Sequence, residues 1–381
     1  MSQPAANSIA YRDKFAAGED IYLLSHSIGK MPKTASQFAD RHFFAAWGEQ
    51  TAEAWPSWLS AIKNFQTVLG ELFTSTPEAF CPQANVSSGL AKVLAALPKK
   101  PGKNVILYTE NDFPSAGFVI QQAERLGFKL RKIGKSEDPQ DLGVWDQTLE
   151  SDVHSVFITH VHYNTNKLIP VREICVLARE RGITSIVDTA QSSGIVPISF
   201  HDWQADVVLG SCIKWLCGGP GAGFLWVAPE FITALQPVDV GWFSHRKPFE
   251  FNINNFEYAV DSAKFWGGTP SVLPYVIATN SIQTMLDIGI QTIRDHNKYL
   301  NNMIVERMDP AVQVSPEDPE LKGGTTVLKF AHQRKIETAL SSANVQFDSR
   351  ELGIRLSPHI YNTAAEIEVV IDCLSGVQPN Q

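Results

Sequence analysis

A single lysine stands between an apolar run and a glycine-rich turn in SCIKWLCGGPGAG, residues 211–223. The side chains beside Lys214 are Ile213, Trp215 and Leu216, so its amine is expected in apolar surroundings, where a charge is costly. Burial shifts a lysine toward its neutral form, and a neutral amine is a nucleophile for carbonyl groups. We therefore expect Lys214 to carry chemistry rather than to be a solvated surface charge.

An aspartate ends the apolar segment TSIVD, which predicts a strand over 184–188. Lys214 follows the next predicted strand, 206–211, so the two side chains are expected at the same edge of a parallel sheet, where its strands end. Alone, Asp188 is explained equally well as a helix cap or turn former. Together, the two residues match what pyridoxal 5′-phosphate (PLP) requires, a lysine for a Schiff base and an aspartate that keeps the pyridine nitrogen protonated.

Two further segments could complete such a site. Residues 85–89 (NVSSG) precede a predicted helix, so their hydroxyl and N–H groups can meet an anion at its N-terminus, or can simply cap it. Residues 111–115 (NDFPS) follow a predicted strand, and Phe113 could stack on a ring there or pack on its own helix. The glycines of 218–223 lack both the Lys-Ser/Thr of a phosphate loop and the GxGxxG spacing, so a tight turn is expected.

Composition favours a small molecule as the partner. The chain has 381 residues and a net charge of -8 without a basic block, which argues against nucleic acid and anionic membranes. With no long apolar run and no secretory pattern at the start, a cytoplasmic protein is expected. The five cysteines are scattered and the histidines form no HExxH motif, so we expect neither a disulfide frame nor a metal site.

Strand and helix patterns alternate from residue 85 to 227, which predicts an α/β fold, a three-layer sandwich with a mostly parallel sheet. The predicted strands are 104–108, 128–133, 155–161 and 184–188, and the predicted helices include 114–126 and a stretch after Pro170.

The last third of the chain predicts a smaller α+β domain. A helix over 270–290 is followed by strand, helix and strand over 324–330, 332–342 and 353–357. Thr363 and Glu366 form a capping box for a final helix. We expect an N-terminal segment over 1–45, a large domain over 46–250 and a small domain over 251–381.

The chain resembles fold-type I PLP enzymes of the class V aminotransferase group, and within it the kynureninases most closely. The matching stretches follow the family's order along nearly the whole chain: DIYLLSHSIGKMP (20–32), WGEQ (47–50), NDFPS (111–115), THVHYNT (159–165), DTAQSSG (188–194), HDWQADVVLGSCIK (201–214), GWFSH (241–245), GTP (268–270) and RLSPHIYNT (355–363).

The resemblance implies a role for each candidate residue around PLP. Lys214 would form the Schiff base, Asp188 would pair with the ring nitrogen, and Phe113 would stack on the ring. Gln191 would lie near the phenolic oxygen of the cofactor. The phosphate and ring substituents would be surrounded by Ser87, Ser88, Ser211 and Thr159.

The resemblance also implies a substrate site and a second subunit. Arg355 resembles the arginine that binds the substrate carboxylate, for which its planar fork is suited. His26 and Ser27 resemble the N-terminal segment that lines the substrate pocket. Trp242 and Thr269 resemble residues contributed across the interface of a homodimer with shared active sites.

Gln191 matches the desulfurase-like branch, since kynureninases carry histidine there, and two positions depart from both branches or from the common pattern. Ile213 stands where kynureninases place tyrosine and desulfurase-like members place histidine, and Ala116 stands where aspartate is common. The segment that directly precedes Arg355 contains no cysteine that could carry a persulfide, so a desulfurase is not expected.

The resemblance implies that an L-amino acid reacts through an external aldimine, with Lys214 as the base. We expect kynureninase-like hydrolysis of a Cβ–Cγ bond. Transamination ranks close to it, because Ile213 removes the usual proton donor for hydrolysis, and β-elimination ranks third. A non-catalytic PLP protein is disfavoured by Arg355, which would serve a substrate, and a Rossmann-type dehydrogenase is disfavoured by the missing GxGxxG motif.

Overall fold

The computed structural model describes residues 11–49 and 53–376. Its first strand, β1 (Ile21–Tyr22), belongs to a small two-stranded sheet. The large sheet contains seven strands: β2 (Phe80–Gln83), β3 (Val105–Thr109), β4 (Lys129–Ile133), β5 (Val153–Thr159), β6 (Thr184–Asp188), β7 (Val207–Ser211) and β8 (Gly223–Val227).

The large sheet has the order β2-β8-β7-β6-β5-β3-β4. Its five strands from β7 to β4 run parallel, and β8 is antiparallel to both of its neighbours. Every residue of β3, β5, β6 and β8 is buried, as expected for a sheet covered on both faces. The predicted α/β fold with a mostly parallel sheet is confirmed.

Helices cover this sheet and also occur in the later part of the described chain. They are α1 (Ala35–Ala39), α2 (Ala45–Gly48), α3 (Trp55–Phe73), α4 (Val86–Ala96), α5 (Pro114–Gln122), α6 (Leu142–Thr148), α7 (Val171–Glu180), α8 (Phe200–Trp203), α9 (Leu273–Ile288), α10 (Ile290–Val305), α11 (Gln333–Ser342) and α12 (Ala364–Ser375). Among the helices of this described part, none combines the length and apolar character needed to span a membrane.

Several predicted bounds shift by a few residues. The helix predicted over 114–126 ends at Gln122 and tightens into a 3₁₀ turn before Gly127, whose φ of 92° stops the helix. The strand predicted over 155–161 starts earlier and ends at Thr159. The capping box of Thr363 and Glu366 is present at the start of α12.

The remaining strands are β9 (Thr326–Leu328), β10 (Val345–Gln346), β11 (Asp348–Arg350) and β12 (Gly353–Leu356). β11, β12 and β9 form an antiparallel sheet in that order, whereas β10 pairs in parallel with β1. A separate apolar core lies here, built from residues such as Leu23, Leu300 and Leu356.

The N-terminal segment packs on this later part of the chain. Ile21 pairs with Val345, and the hydroxyl of Thr34 donates to Asn280 Oδ1 on α9 at 2.9 Å. The proposed division at residues 45 and 250 stays a prediction, and residues 1–10 of the first segment lie outside the described residues.

Candidate functional site

Two adjoining cavities meet at Lys214. The inner cavity, about 170 Å³, lies at the edge of the large sheet where its parallel strands end, and Asp188 and Ser211 are among its walls. The outer cavity, about 480 Å³, is lined in part by His26 and Arg355. The residues common to both linings are Phe113, Tyr163, Gln191 and Lys214. A molecule in the inner cavity and one in the outer cavity would therefore both reach the lysine.

The loop that follows β7 carries Lys214. Burial lowers the pKa of its amine, Asp188 opposes that shift, and Arg355 adds to it. The Nζ atom lies 5.7 Å from the centre of the Phe113 ring. Lowering of the pKa favours the neutral, nucleophilic amine at the point where the two cavities meet.

Asp188 is the last residue of β6 and is 6% exposed. Its Oδ1 accepts a hydrogen bond from the Ala190 amide at 2.7 Å. Burial raises the pKa of this carboxyl, while the Ala190 amide and Lys214 act in the opposite direction. A buried carboxylate of this kind is stabilised by a cationic partner inside the cavity.

Thr159 on β5 is the register partner of Asp188. Its hydroxyl donates to Asp112 Oδ1 at 2.6 Å, and the Thr109 amide donates to Asp112 Oδ2 at 2.8 Å. Burial raises the pKa of Asp112 to about 7, with these hydrogen bonds opposing and Asp188 adding to the rise. A second carboxyl, that of Asp112, thus holds the side chain of Thr159 in place at the inner cavity.

Two helix N-termini open on the inner cavity. Asn85 caps α4 by accepting the Ser88 amide at 2.9 Å, and Ser87 of the same turn lines the cavity. Ser115, in the first turn of α5, also lines it. Free N–H groups and hydroxyls at helix N-termini bind anions, so this end of the cavity suits a phosphate.

Phe113 precedes α5 and is 45% exposed, which is unusual for a phenylalanine. Its ring meets the Tyr163 ring edge to face, with centres 5.2 Å apart. An aromatic face left open beside Lys214 is suited to stack on a planar ring.

Gln191 lines both cavities, and its side-chain amide makes two hydrogen bonds. Its Nε2 donates to the His26 carbonyl at 3.1 Å, and its Oε1 accepts from Trp215 Nε1 at 3.2 Å. The N-terminal segment is thereby attached to the loop after β6.

Arg355 on β12 is 5% exposed and lines the outer cavity. Its Nη1 donates to the Tyr163 carbonyl at 2.9 Å and its Nη2 donates to Asp348 Oδ2. His26 lies beside this pair, with Nδ1 at 2.6 Å from Ser357 Oγ. Burial is the main reason that the pKa of His26 falls to about 4, so its ring is neutral near pH 7.

The structure brings most of the predicted residues together. Those that line the inner cavity are Ser87, Phe113, Thr159, Asp188, Gln191, Ser211 and Lys214. His26, Ser27 and Arg355 line the outer cavity. Ser88 offers its amide to Asn85, and Trp242 and Thr269 lie in neither lining.

Sequence reasoning did not single out several residues of this site. They are Asn85, Asp112, Ser115, Tyr163 and Asp348. Three of them fall inside motifs quoted for the family resemblance, so their signal was present but not assigned to a side chain. Asp348 carried no signal, because its strand is three residues long and lacks an apolar pattern.

The chemical groups that line the inner cavity fit PLP. An amine of lowered pKa, a buried carboxyl, an open aromatic face and two helix N-termini surround one volume. These groups correspond to the aldehyde, the pyridine nitrogen, the ring face and the phosphate of that cofactor.

Comparison with known proteins agrees with a PLP site in the inner cavity. The sequence profile of the family described as "Aminotransferase class-V" matches residues 85–370. An uncharacterized aminotransferase, YcbU, of Bacillus subtilis (strain 168) is 27% identical over 322 residues, which are 83% of this chain and 84% of that protein. A kynureninase of Deinococcus radiodurans is 26% identical over 348 residues, 87% of this chain and 83% of the relative.

Among solved structures, a variant of C-DES with glycine covalently linked to its PLP cofactor superposes with a TM-score of 0.85. Its sequence identity is 19%, and the superposition covers 96% of this chain and 98% of that one. At this identity the likeness concerns the fold.

Proposed function

Because this chain belongs to the class-V aminotransferase family and is therefore a PLP-dependent enzyme, we propose that it acts on an L-amino acid in a kynureninase-like reaction. The substrate would be a kynurenine-type amino acid, cleaved by water between Cβ and Cγ. The observation that carries this proposal is the position of Lys214 between the two cavities, with Asp188 on one side and Arg355 on the other.

PLP, when bound, supplies an aldehyde for an amine and an electron-withdrawing ring that stabilises negative charge at the α carbon of an amino acid. In the proposed arrangement Asp188 holds the ring nitrogen and Phe113 covers the ring face. The phosphate is held by Ser87, Ser88, Ser211 and the N-termini of α4 and α5. Thr159 and Gln191 position the ring substituents.

Lys214 acts as the base for the proton of the substrate α carbon. The lowered pKa of its amine supports this role, since a general base works best when its pKa lies near the working pH. Asp188 would favour a protonated ring nitrogen on bound PLP, because a buried carboxylate is stabilised by a neighbouring cation.

Arg355 binds the substrate carboxylate in the outer cavity. Its guanidinium is buried there, and the planar group can form strong paired hydrogen bonds with a carboxylate. His26 and Ser27 line the same cavity from the N-terminal segment.

The outer cavity supports an aromatic amino acid as the substrate. Its volume of about 480 Å³ exceeds what a small aliphatic side chain needs, and Phe113, Tyr163 and Leu352 supply apolar and aromatic walls. The kynureninase relatives, aligned over most of their length, support the same reaction class.

Transamination is the second candidate, and Ile213 is the observation that favours it. An isoleucine cannot donate a proton beside Lys214, and its carbonyl accepts the Gly29 amide at 2.9 Å. Transamination needs only return of a proton by Lys214 itself, so the missing donor would not impede it.

A substrate screen with PLP-loaded enzyme tests both candidates. Incubation with L-kynurenine or its 3-hydroxy form should release L-alanine and the matching aminobenzoate, measured by chromatography. Conversion of the cofactor to its amine form by other L-amino acids, with release of 2-oxo acids, would instead establish transamination. If no L-amino acid perturbs the cofactor spectrum, the proposed function is wrong.

We also propose a homodimer. The segment 238–260 exposes large apolar side chains, among them Phe251 at 74% and Ile253 at 96%, and such surfaces on monomers are uncommon. Trp242 stacks on Phe251 within this segment, with ring centres 5.8 Å apart. Trp242 and Thr269 line neither cavity of their own chain, so a neighbouring subunit is where they would contribute.

A further inference from the structure

The arginine proposed to bind the substrate carboxylate already holds a carboxylate of this chain. Nη2 of Arg355 donates to Asp348 Oδ2, while its Nη1 donates to the Tyr163 carbonyl at 2.9 Å. Its Nε is buried and has no hydrogen-bond partner among the described residues. Asp348 thus occupies one edge of the guanidinium and leaves another donor unused.

Three donors converge on one oxygen of Asp348. Besides Arg355 Nη2, Oδ2 accepts from Arg350 Nε at 3.1 Å and lies 3.4 Å from His26 Nε2. These groups hold the pKa of Asp348 well below its usual range, so the side chain is an anion at every working pH. It therefore presents to Arg355 the same chemical group as the substrate would.

The sheet register places the two residues together. Asp348 and Arg355 are cross-strand partners of β11 and β12, on opposite sides of a short turn. β11 is an edge strand of three residues, and the side chain of Arg350 is 65% exposed. A short edge strand with an exposed arginine can rearrange at lower cost than the buried β12.

We propose that Asp348 is a specificity-determining residue that competes with the substrate carboxylate for Arg355. Binding of an amino acid then requires Asp348 to leave Arg355 while it keeps its contact with Arg350. This inference rests on the proposed function, because it takes Arg355 as the carboxylate site.

The exchange offsets part of the affinity that Arg355 gives to a ligand carboxylate. One charge-assisted hydrogen bond of Arg355 to Asp348 is replaced by one to the ligand, and the anion of Asp348 keeps a cationic partner in Arg350. The enzyme then binds a carboxylate weakly unless other contacts of the ligand add to the affinity. Contacts of the substrate side chain in the outer cavity therefore contribute more to substrate specificity.

A purely structural role of Asp348 makes the opposite prediction. If Asp348 only orients Arg355, removing its charge would leave the guanidinium less ordered and would weaken carboxylate binding. If it competes, the same change strengthens binding. The sign of the effect separates the two roles.

The test is calorimetric titration of PLP-free protein with propionate, which carries the carboxylate of L-alanine without its amine. We expect Asp348→Asn and Asp348→Ser to bind propionate about tenfold more tightly than wild type, the range expected when one charge-assisted competitor is lost. Propionamide, which has no charge, should show no such gain.

Glu351→Gln is the matched control. Glu351 follows Arg350 on the same turn, and its backbone carbonyl accepts from Lys329 Nζ at 3.0 Å, a contact that the substitution keeps. Glu351 also lines the outer cavity but has no hydrogen bond to Arg355 among the described contacts, so the change removes a charge from the same cavity and should alter the propionate Kd by less than about twofold. A gain equal to that of Asp348→Asn would overturn the proposal.

Unchanged or weaker propionate binding in both Asp348 variants, or no measurable binding in any of the proteins, would also overturn it. A circular dichroism spectrum and a Tm close to wild type exclude misfolding as the cause. The screen of L-amino acids with PLP-loaded protein then separates the two proposals: tighter propionate binding with no spectral response to any amino acid would contradict the proposed function alone.

Discussion

Asp112 accepts a hydrogen bond from Thr159 at 2.6 Å, and Thr159 stands beside Asp188 in the sheet. Two buried carboxyls therefore lie one side chain apart at the inner cavity, and the charge of Asp188 adds to the cost of ionising Asp112. PLP would place a cationic ring nitrogen beside Asp188 and not beside Asp112. Asp112 is therefore the carboxyl whose pKa stays near neutral pH.

Replacing Asp112 by asparagine should change how stability depends on pH in the PLP-free protein. The folded pKa of Asp112 is raised to about 7, so its contribution favours folding at low pH and is lost as the pH rises through 7. The amide of the Asp112→Asn variant does not titrate, and it can accept the Thr109 N–H and donate to the Thr159 hydroxyl.

Between pH 5 and pH 8 the wild type should therefore lose up to about 3 kcal/mol of unfolding free energy relative to Asp112→Asn. Urea unfolding at both pH values measures the difference. Asp188 and His162 also face this carboxyl, His162 with its Nε2 3.9 Å from Oδ1, and both are unchanged in the variant. Parallel pH profiles of the two proteins would contradict the raised pKa.

Replacing Lys214 by alanine should abolish covalent attachment of PLP. Reduction with borohydride and intact-mass measurement should show one cofactor per wild-type chain and none per variant chain, because the amine at the meeting point of the cavities is gone. Lys322→Met is the control, since Lys322 also has a lowered pKa, of about 8, but lies outside both cavities. Loss of attachment in the control would show that PLP is not attached specifically at Lys214.

Replacing Arg355 by glutamine should weaken binding of amino acids and leave PLP in place. Loss of charge-assisted hydrogen bonds to a carboxylate corresponds to about 10- to 100-fold in Kd. Titration of the cofactor absorbance with L-alanine measures it. Arg355→Lys keeps the charge without the planar fork and should fall between the two. Equal amino-acid affinity in all three proteins would remove Arg355 from the substrate site.

Replacing Lys322 by methionine should stabilise the protein most at neutral pH. Lys322 is 1% exposed and its Nζ has no hydrogen-bond partner among the described residues. Burial, with Arg294 adding to it, lowers its pKa to about 8. The folded state therefore bears a cost of up to about 3 kcal/mol below pH 8, which is relieved as the pH rises toward 10.5.

Lys322→Met should accordingly be more stable than wild type at pH 7, and the difference should shrink to about 1 kcal/mol at pH 10. Denaturant unfolding at the two pH values checks it. A difference that stays constant would show that packing, and not the buried charge, separates the two proteins.

Replacing Ile253 by aspartate should convert the proposed dimer to a monomer. A carboxylate at a side chain that is 96% exposed in the single chain would be desolvated in an interface, at a cost of several kcal/mol. Sedimentation velocity compares its mass with that of wild type. Val369→Asp, on the outer face of α12 and 41% exposed, should leave the association state unchanged. A wild type that sediments as a monomer would contradict the proposal directly.

The core of the large sheet and the two residues at its edge could be predicted from the sequence alone. Strands such as β6 are apolar throughout because both faces are buried, and that run is visible without any partner strand. Asp188 and Lys214 interrupt apolar surroundings at strand ends, so each is conspicuous in its own segment. The capping box at Thr363 is likewise local, since its two residues are three positions apart.

The surroundings of these two residues depend on contacts that form only in the folded chain. Asp112 meets Thr159 across 47 positions of sequence, and Tyr163 meets Arg355 across 192. Asp348 reaches Arg355 through the register of an edge strand too short to carry a periodic pattern. Residue types that suit a cofactor can be recognised one segment at a time, whereas competition between Asp348 and a ligand arises from a distance between atoms that no local pattern encodes.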